Sequence, residues 1–171
     1  MRAIQMIPVM ALAMSVIVAA LPASAKTLPQ PHGPVLLTLS GEIEHTNGDG
    51  TAALDLEMLR EIGQTDIETE TIWTDGMHRF SGVSLKALLD YVGAQGTMIE
   101  TSAINDYMVE IPVSDAVTDG PIIAYELDGK TMSRREKGPL WVIYPFSSSS
   151  DYRTEVIYSR SIWQMDRMKV K

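Results

Sequence analysis

The stretch TIWTDGMHRFSGVSLKALLDYVG, Thr71–Gly93, reads as a strand end, a turn, a short connecting segment and then a helix. The helix is the firmest part. Ser84 stands where a hydroxyl caps a first turn. Leu85, Leu88, Leu89 and Val92 follow the i, i+3, i+4, i+7 spacing of one apolar face, and Gly93 ends it. Ahead of it, Asp66–Thr74 alternates, with Ile67, Thr69, Thr71 and Trp73 on one side as in a strand. Asp75-Gly76 supplies the turn between them.

Working outward, Asp55 is placed to cap a short helix, LEMLREI, closed by Gly63. Before it, Val35–Glu44 alternates as a strand, and HTNGDGT follows as a turn. The NGDG core resembles half a calcium loop, but that register puts His45 and Leu56 where carboxylates are required. Met98–Ile104, Tyr107–Ile111, Ile122–Leu127, Lys130–Met132, Leu140–Tyr144 and Ser161–Val170 read as further strands. Asp128-Gly129 forms a two-residue hairpin turn. Many short strands with few helices predict a mixed α+β domain.

Residues 1–25 stand apart from that fold. Arg2, an apolar run and Ala23-Ser24-Ala25 have the pattern of a secretory signal peptide, cleaved before Lys26. Export to the periplasm is expected, with no membrane attachment after cleavage; the rival reading is a retained anchor, since the run is just long enough to span a bilayer. Residues 26–34 carry three prolines and read as an extended lead-in, leaving 35–171 as a single domain. Among charges, cleavage removes only Arg2 and leaves 13 basic against 22 acidic residues. Such a balance disfavours nucleic acid and anionic lipid as partners. The chain has no cysteine, so disulfides, thiolate nucleophiles, iron–sulfur clusters and cysteine-type zinc sites are excluded.

Taken in order, the segments resemble a known family. FSGVSLKALLDYVG is similar to the aromatic-x-Gly-Val-x-Leu-x-x-Leu-Leu segment of the sulfite-oxidase-type molybdopterin-binding domain. NDYMVEIP resembles its Asp-Gly-Tyr strand, AYELDGKTM its Asn/Asp-Gly hairpin, and KGPLWVIYP its Pro-Leu-Arg strand. LTLSGEI looks like the opening strand, and SRSIWQMDRMKV like the closing one. The resemblance spans about Leu36 to Val170 and implies that family's fold.

Two departures bear on chemistry. The family's molybdenum-ligating cysteine would fall near Ile72, Trp73 or Thr74, none of which offers the soft anionic sulfur such a site uses. Where the family has an arginine after Pro-Leu, this chain has Trp141. The cofactor is therefore left open: the resemblance makes molybdopterin possible, and cysteine-ligated molybdenum is not expected.

Candidate ligand-binding residues follow from the same positions. Trp73, His78 and Arg79 surround the Asp75-Gly76 turn at the family's cofactor wall. Asp106 and Tyr107 enter a strand at the pocket edge. The loop Ser147, Ser148, Ser149, Ser150 and Asp151, with Arg153, offers hydroxyls and a cation to an oxyanion. Each has a plainer role as turn, core or solvated residue. The island SRREKG, Ser133–Gly138, reads as a solvated hairpin end. His32, His45 and His78 lack metal-ligand spacing, and no serine has a hydrolase context, so neither a metal site nor a catalytic residue is assigned.

Two functions remain open on these residues. One is an exported, non-catalytic module that binds a small molecule or anion, or serves an exported or membrane-bound partner protein. The other is a molybdopterin oxidoreductase that holds its cofactor through pterin and phosphate contacts alone. A purely structural role would show Trp73 and Trp141 filling the cofactor's space.

Overall fold

The computed structural model describes residues 27–171. The segment 1–25, read from sequence as a signal peptide, lies outside the described residues. The strands are β1 (Leu37–Gly41), β2 (Ala52–Leu54), β3 (Thr65–Glu70), β4 (Met77–Ser84), β5 (Met98–Ala103), β6 (Met108–Pro112), β7 (Ile122–Leu127), β8 (Lys130–Thr131), β9 (Leu140–Ile143) and β10 (Trp163–Val170). The helices are α1 (Leu56–Ile62), α2 (Leu85–Val92) and α3 (Glu155–Arg160). All strands join one sheet, whose main path runs β2-β1-β10-β9-β7-β4-β3. β5 pairs with β10 and β6, and β8 pairs with β7. β10 is the branch point: it runs parallel to β1 and antiparallel to both β5 and β9.

Local chemistry accounts for both predicted helices. Asp55 accepts the Met58 N–H at 2.9 Å to start α1, and Ser84 accepts the Ala87 N–H at 3.0 Å to start α2. Gly93 ends α2 at φ 63°, a left-handed conformation that a β-carbon disfavours. Leu85, Leu88, Leu89 and Val92 are all buried, as their spacing requires. Asp128-Gly129 turns β7 into β8 with φ of 50° and 75°, the paired positive values of a type I′ hairpin.

Three readings change. The strand expected over Asp66–Thr74 stops at Glu70, so Thr71 and Trp73 lie in a loop. The segment expected to connect turn and helix is β4, the strand that joins β3 to β7. Its alternation is masked because Phe80, Ser81, Gly82 and Val83 are all buried, as in an interior strand. The lead-in contributes to the core: Leu28 is buried, its N–H donates to the Thr46 carbonyl, and the His32 and Gly33 N–H groups donate to Asp55.

One irregularity shapes the sheet. Opposite Ser81 and Gly82 of β4 stand Glu126 and Ala124 of β7, so Tyr125 is the extra residue of a β-bulge. Gly82 is required there, because a β-carbon would meet the Ile123 carbonyl oxygen at 2.2 Å.

Candidate functional site

Four segments converge on a cleft of about 400 Å³. The Thr71–Gly76 loop supplies Trp73, and the β5–β6 turn supplies Asn105 and Tyr107. Tyr158 comes from α3, and Trp163 and Gln164 from the start of β10. The volume lies in the range of small-molecule sites.

Trp73 is fixed from both ends. Its N–H donates to Thr71 Oγ1 at 3.0 Å, and that hydroxyl lies 2.8 Å from Thr74 Oγ1, a local hydroxyl turn. Its indole meets four rings edge-on: Trp163 at 5.6 Å, Trp141 at 5.7 Å, Tyr158 at 5.8 Å and Phe146 at 6.1 Å. Such geometry sets the positive edge of one ring against the negative face of another. Trp141 is fully buried, pairs across the sheet with Trp163, and donates its indole N–H to the Ser161 carbonyl at 3.1 Å. All three tryptophans of the chain thus belong to this one wall.

A cation closes one side of the wall. Lys137 Nζ lies 3.8 Å from the Trp163 ring centre and 5.5 Å from that of Trp141. Gln164, the extra residue of a bulge at φ 53°, donates its N–H to the Lys137 carbonyl and its side-chain amide to the Arg134 carbonyl. The basic segment read as a solvated hairpin end is therefore tethered beside the cleft.

A partly buried ionic network sets α3. Tyr144 donates to Asp115 Oδ2 at 2.7 Å, and Arg160 donates to the same oxygen at 2.9 Å. Burial pushes the Tyr144 phenol far above its ordinary range, and the Asp115 carboxylate adds to this, so the phenol stays a neutral donor. Arg160 ends the helix that carries Tyr158, so the network positions the cleft's wall.

Of the residues singled out in the sequence, the structure brings Trp73 and Tyr107 to this cleft. Tyr107 is 57% exposed at its mouth. Asp106, at φ 64°, turns outward and pairs with Arg167 at 2.9 Å. His78 and Arg79 lie on β4: His78 Nδ1 faces Asp128 Oδ2 at 2.7 Å, and Arg79 pairs with Asp66 at 3.0 Å. The Ser147 hydroxyl accepts the Glu70 N–H and bonds Thr69, tying its loop to β3. Ser148 donates to the Pro145 carbonyl, and Ser149 accepts the Asp151 N–H at the start of a short 3-10 turn, Ser150–Tyr152, with Arg153 at its end. Ser147, Ser148 and Ser149 thus anchor and shape their loop, and the Ser147–Arg153 segment does not line this cleft.

Tyr158, Ser159, Ser161, Trp163 and Gln164 line the cleft without having been singled out. The signal for them was SRSIWQ, whose place beside the wall depends on β10 returning to the centre of the sheet.

The donors facing the cleft are hydroxyls, amides and indoles. They offer neither thiolate nor carboxylate nor imidazole, and among the described residues no three His, Cys, Asp or Glu side chains converge on a point. A soft-ligand molybdenum centre does not fit this donor set. A planar organic ligand does, since aromatic faces and amide edges are what such a molecule uses.

The family model for the oxidoreductase molybdopterin-binding domain matches residues 57–150. No curated protein matches the chain.

Proposed function

Because the chain belongs to the oxidoreductase molybdopterin-binding domain family, we propose that it keeps the family's fold as a non-catalytic binding module. The cleft takes a small planar organic ligand, with no protein ligand to molybdenum. One observation carries this reading: Trp73 occupies the segment where the resemblance puts the thiolate, and packs edge-on against Trp141, Trp163, Tyr158 and Phe146. The aromatic wall offers stacking, while Asn105, Tyr107 and Gln164 offer hydrogen bonds at its rim. The basic start and apolar run of residues 1–25 support action outside the cytoplasm, alone or with an exported or membrane-bound partner.

The chain carries its own reporter, since every indole lies in the wall. Titration of the mature protein with a free pterin, with inorganic phosphate as a control, is read by tryptophan fluorescence. Saturable quenching by the pterin, lost in Tyr107→Ala and Gln164→Ala, supports the reading. Response to phosphate alone contradicts a planar ligand, and absence of any response favours a plugged, purely structural wall.

A further inference from the structure

A second cleft, of about 820 Å³, shares no lining residue with the aromatic one. It lies between the Pro34–Leu36 segment, α1 and the β7–β8 hairpin. Leu36, Leu56, Met132 and Pro139 supply its apolar lining. Tyr125 also lines it, and the bulge in β7 sets that residue out of the regular alternation of the strand. Bulges re-aim side chains in this way beside binding sites.

The Tyr125 hydroxyl is the second observation. The residue is 1% exposed, yet its oxygen has no hydrogen-bond partner among the described residues. Thr101 Oγ1 shares that condition, but it lies within β5 between β10 and β6. A buried phenol without a partner is costly and calls for an explanation. Above the ring lies the Arg60 guanidinium, 5.7 Å from its centre, drawn there by Glu126 at 2.5 Å. Arg60 is half exposed, so rotation of its side chain toward solvent would uncover the ring.

Charge narrows the ligand. Asp55 and Glu57 face the same cleft, and its guanidinium is already paired with Glu126. An anion would meet two carboxylates and no unpaired guanidinium. Arg60 lines the cleft even when turned from the ring, so a positive ligand would meet a like charge beside the phenol. We propose that this cleft binds a small neutral organic molecule bearing a hydroxyl or carbonyl oxygen, with the Tyr125 phenol as its hydrogen-bond partner once Arg60 swings aside.

The test uses the mature chain and four probes: benzyl alcohol, cyclohexanone, toluene and benzoate. Amide shifts of Arg60, Thr131 and Met132 in a nitrogen–proton correlation spectrum report occupancy. Benzyl alcohol and cyclohexanone give saturable shifts, and Tyr125→Phe weakens both about ten-fold, the scale of one buried hydrogen bond. Toluene binds less tightly and is indifferent to the substitution, and benzoate binds least. Without any probe, Tyr125→Phe leaves the urea midpoint unchanged or raises it, because no bond is lost. The proposal is overturned by absent shifts, by equal affinity in Tyr125→Phe, or by a lowered midpoint in the probe-free variant. That last result would mean the hydroxyl already holds a partner such as trapped water.

Discussion

Replacing Trp73 with alanine tests whether the wall is a packed structure or an open shelf. A large aromatic side chain keeps roughly 150 Å² from water when mostly buried, worth about 4 kcal/mol at ~25 cal/mol per Å². Trp73 is partly buried, and its loop relaxes on truncation, which lowers that figure. Loss of four edge-to-face contacts raises it again, though such pairs are not additive. Trp73→Ala is expected to destabilise the domain by about 3 kcal/mol. Urea unfolding followed by far-ultraviolet circular dichroism measures this without relying on the deleted indole. Near-ultraviolet dichroism should weaken as well, since two indoles and two other rings lose a coupled neighbour. A loss under about 1 kcal/mol, with near-ultraviolet signal intact, would refute the packed wall.

Two further outcomes follow from named contacts. Asp115→Asn removes the charge shared by Tyr144 and Arg160 and should cost about 2 kcal/mol, with faster amide exchange across α3; unchanged exchange there would show that the network does not position the helix. The Asp128 hydrogen bond raises His78 above its ordinary pKa, and the Asp75 carbonyl on its other nitrogen acts in the same sense. Stability from His78 is therefore complete below about pH 6.5 and is lost as pH rises through the raised value. The same contact lowers Asp128, so its share is lost only as pH falls below the ordinary aspartate range. His78→Gln should flatten the alkaline limb of the melting-temperature profile, and an unaltered limb would show that the pair is unformed.

Local signals in the sequence were legible where chemistry is local. Caps, the apolar stripe of α2 and the Asp128-Gly129 turn each depend on residues within a few positions, and each formed as its spacing implies. β4 was hidden because an interior strand buries both faces, and α3 because EVIYSR has no apolar stripe; none of its residues is fully buried. For the site, Trp73 and Tyr107 could be marked from their places in a recognised pattern. His78, Arg79 and Asp106 could not be told from cleft residues, because pairing with Asp128, Asp66 and Arg167 spans long stretches of chain. Trp163 and Gln164 depended on a sheet register that no short window contains.

The most direct measurement is the molybdenum content of the protein recovered from its native host, by elemental analysis against protein concentration. An aromatic wall with only hydroxyl, amide and indole donors predicts a content well below one atom per chain. One tightly held atom per chain, released on loosening the Ile72–Thr74 loop, would contradict it.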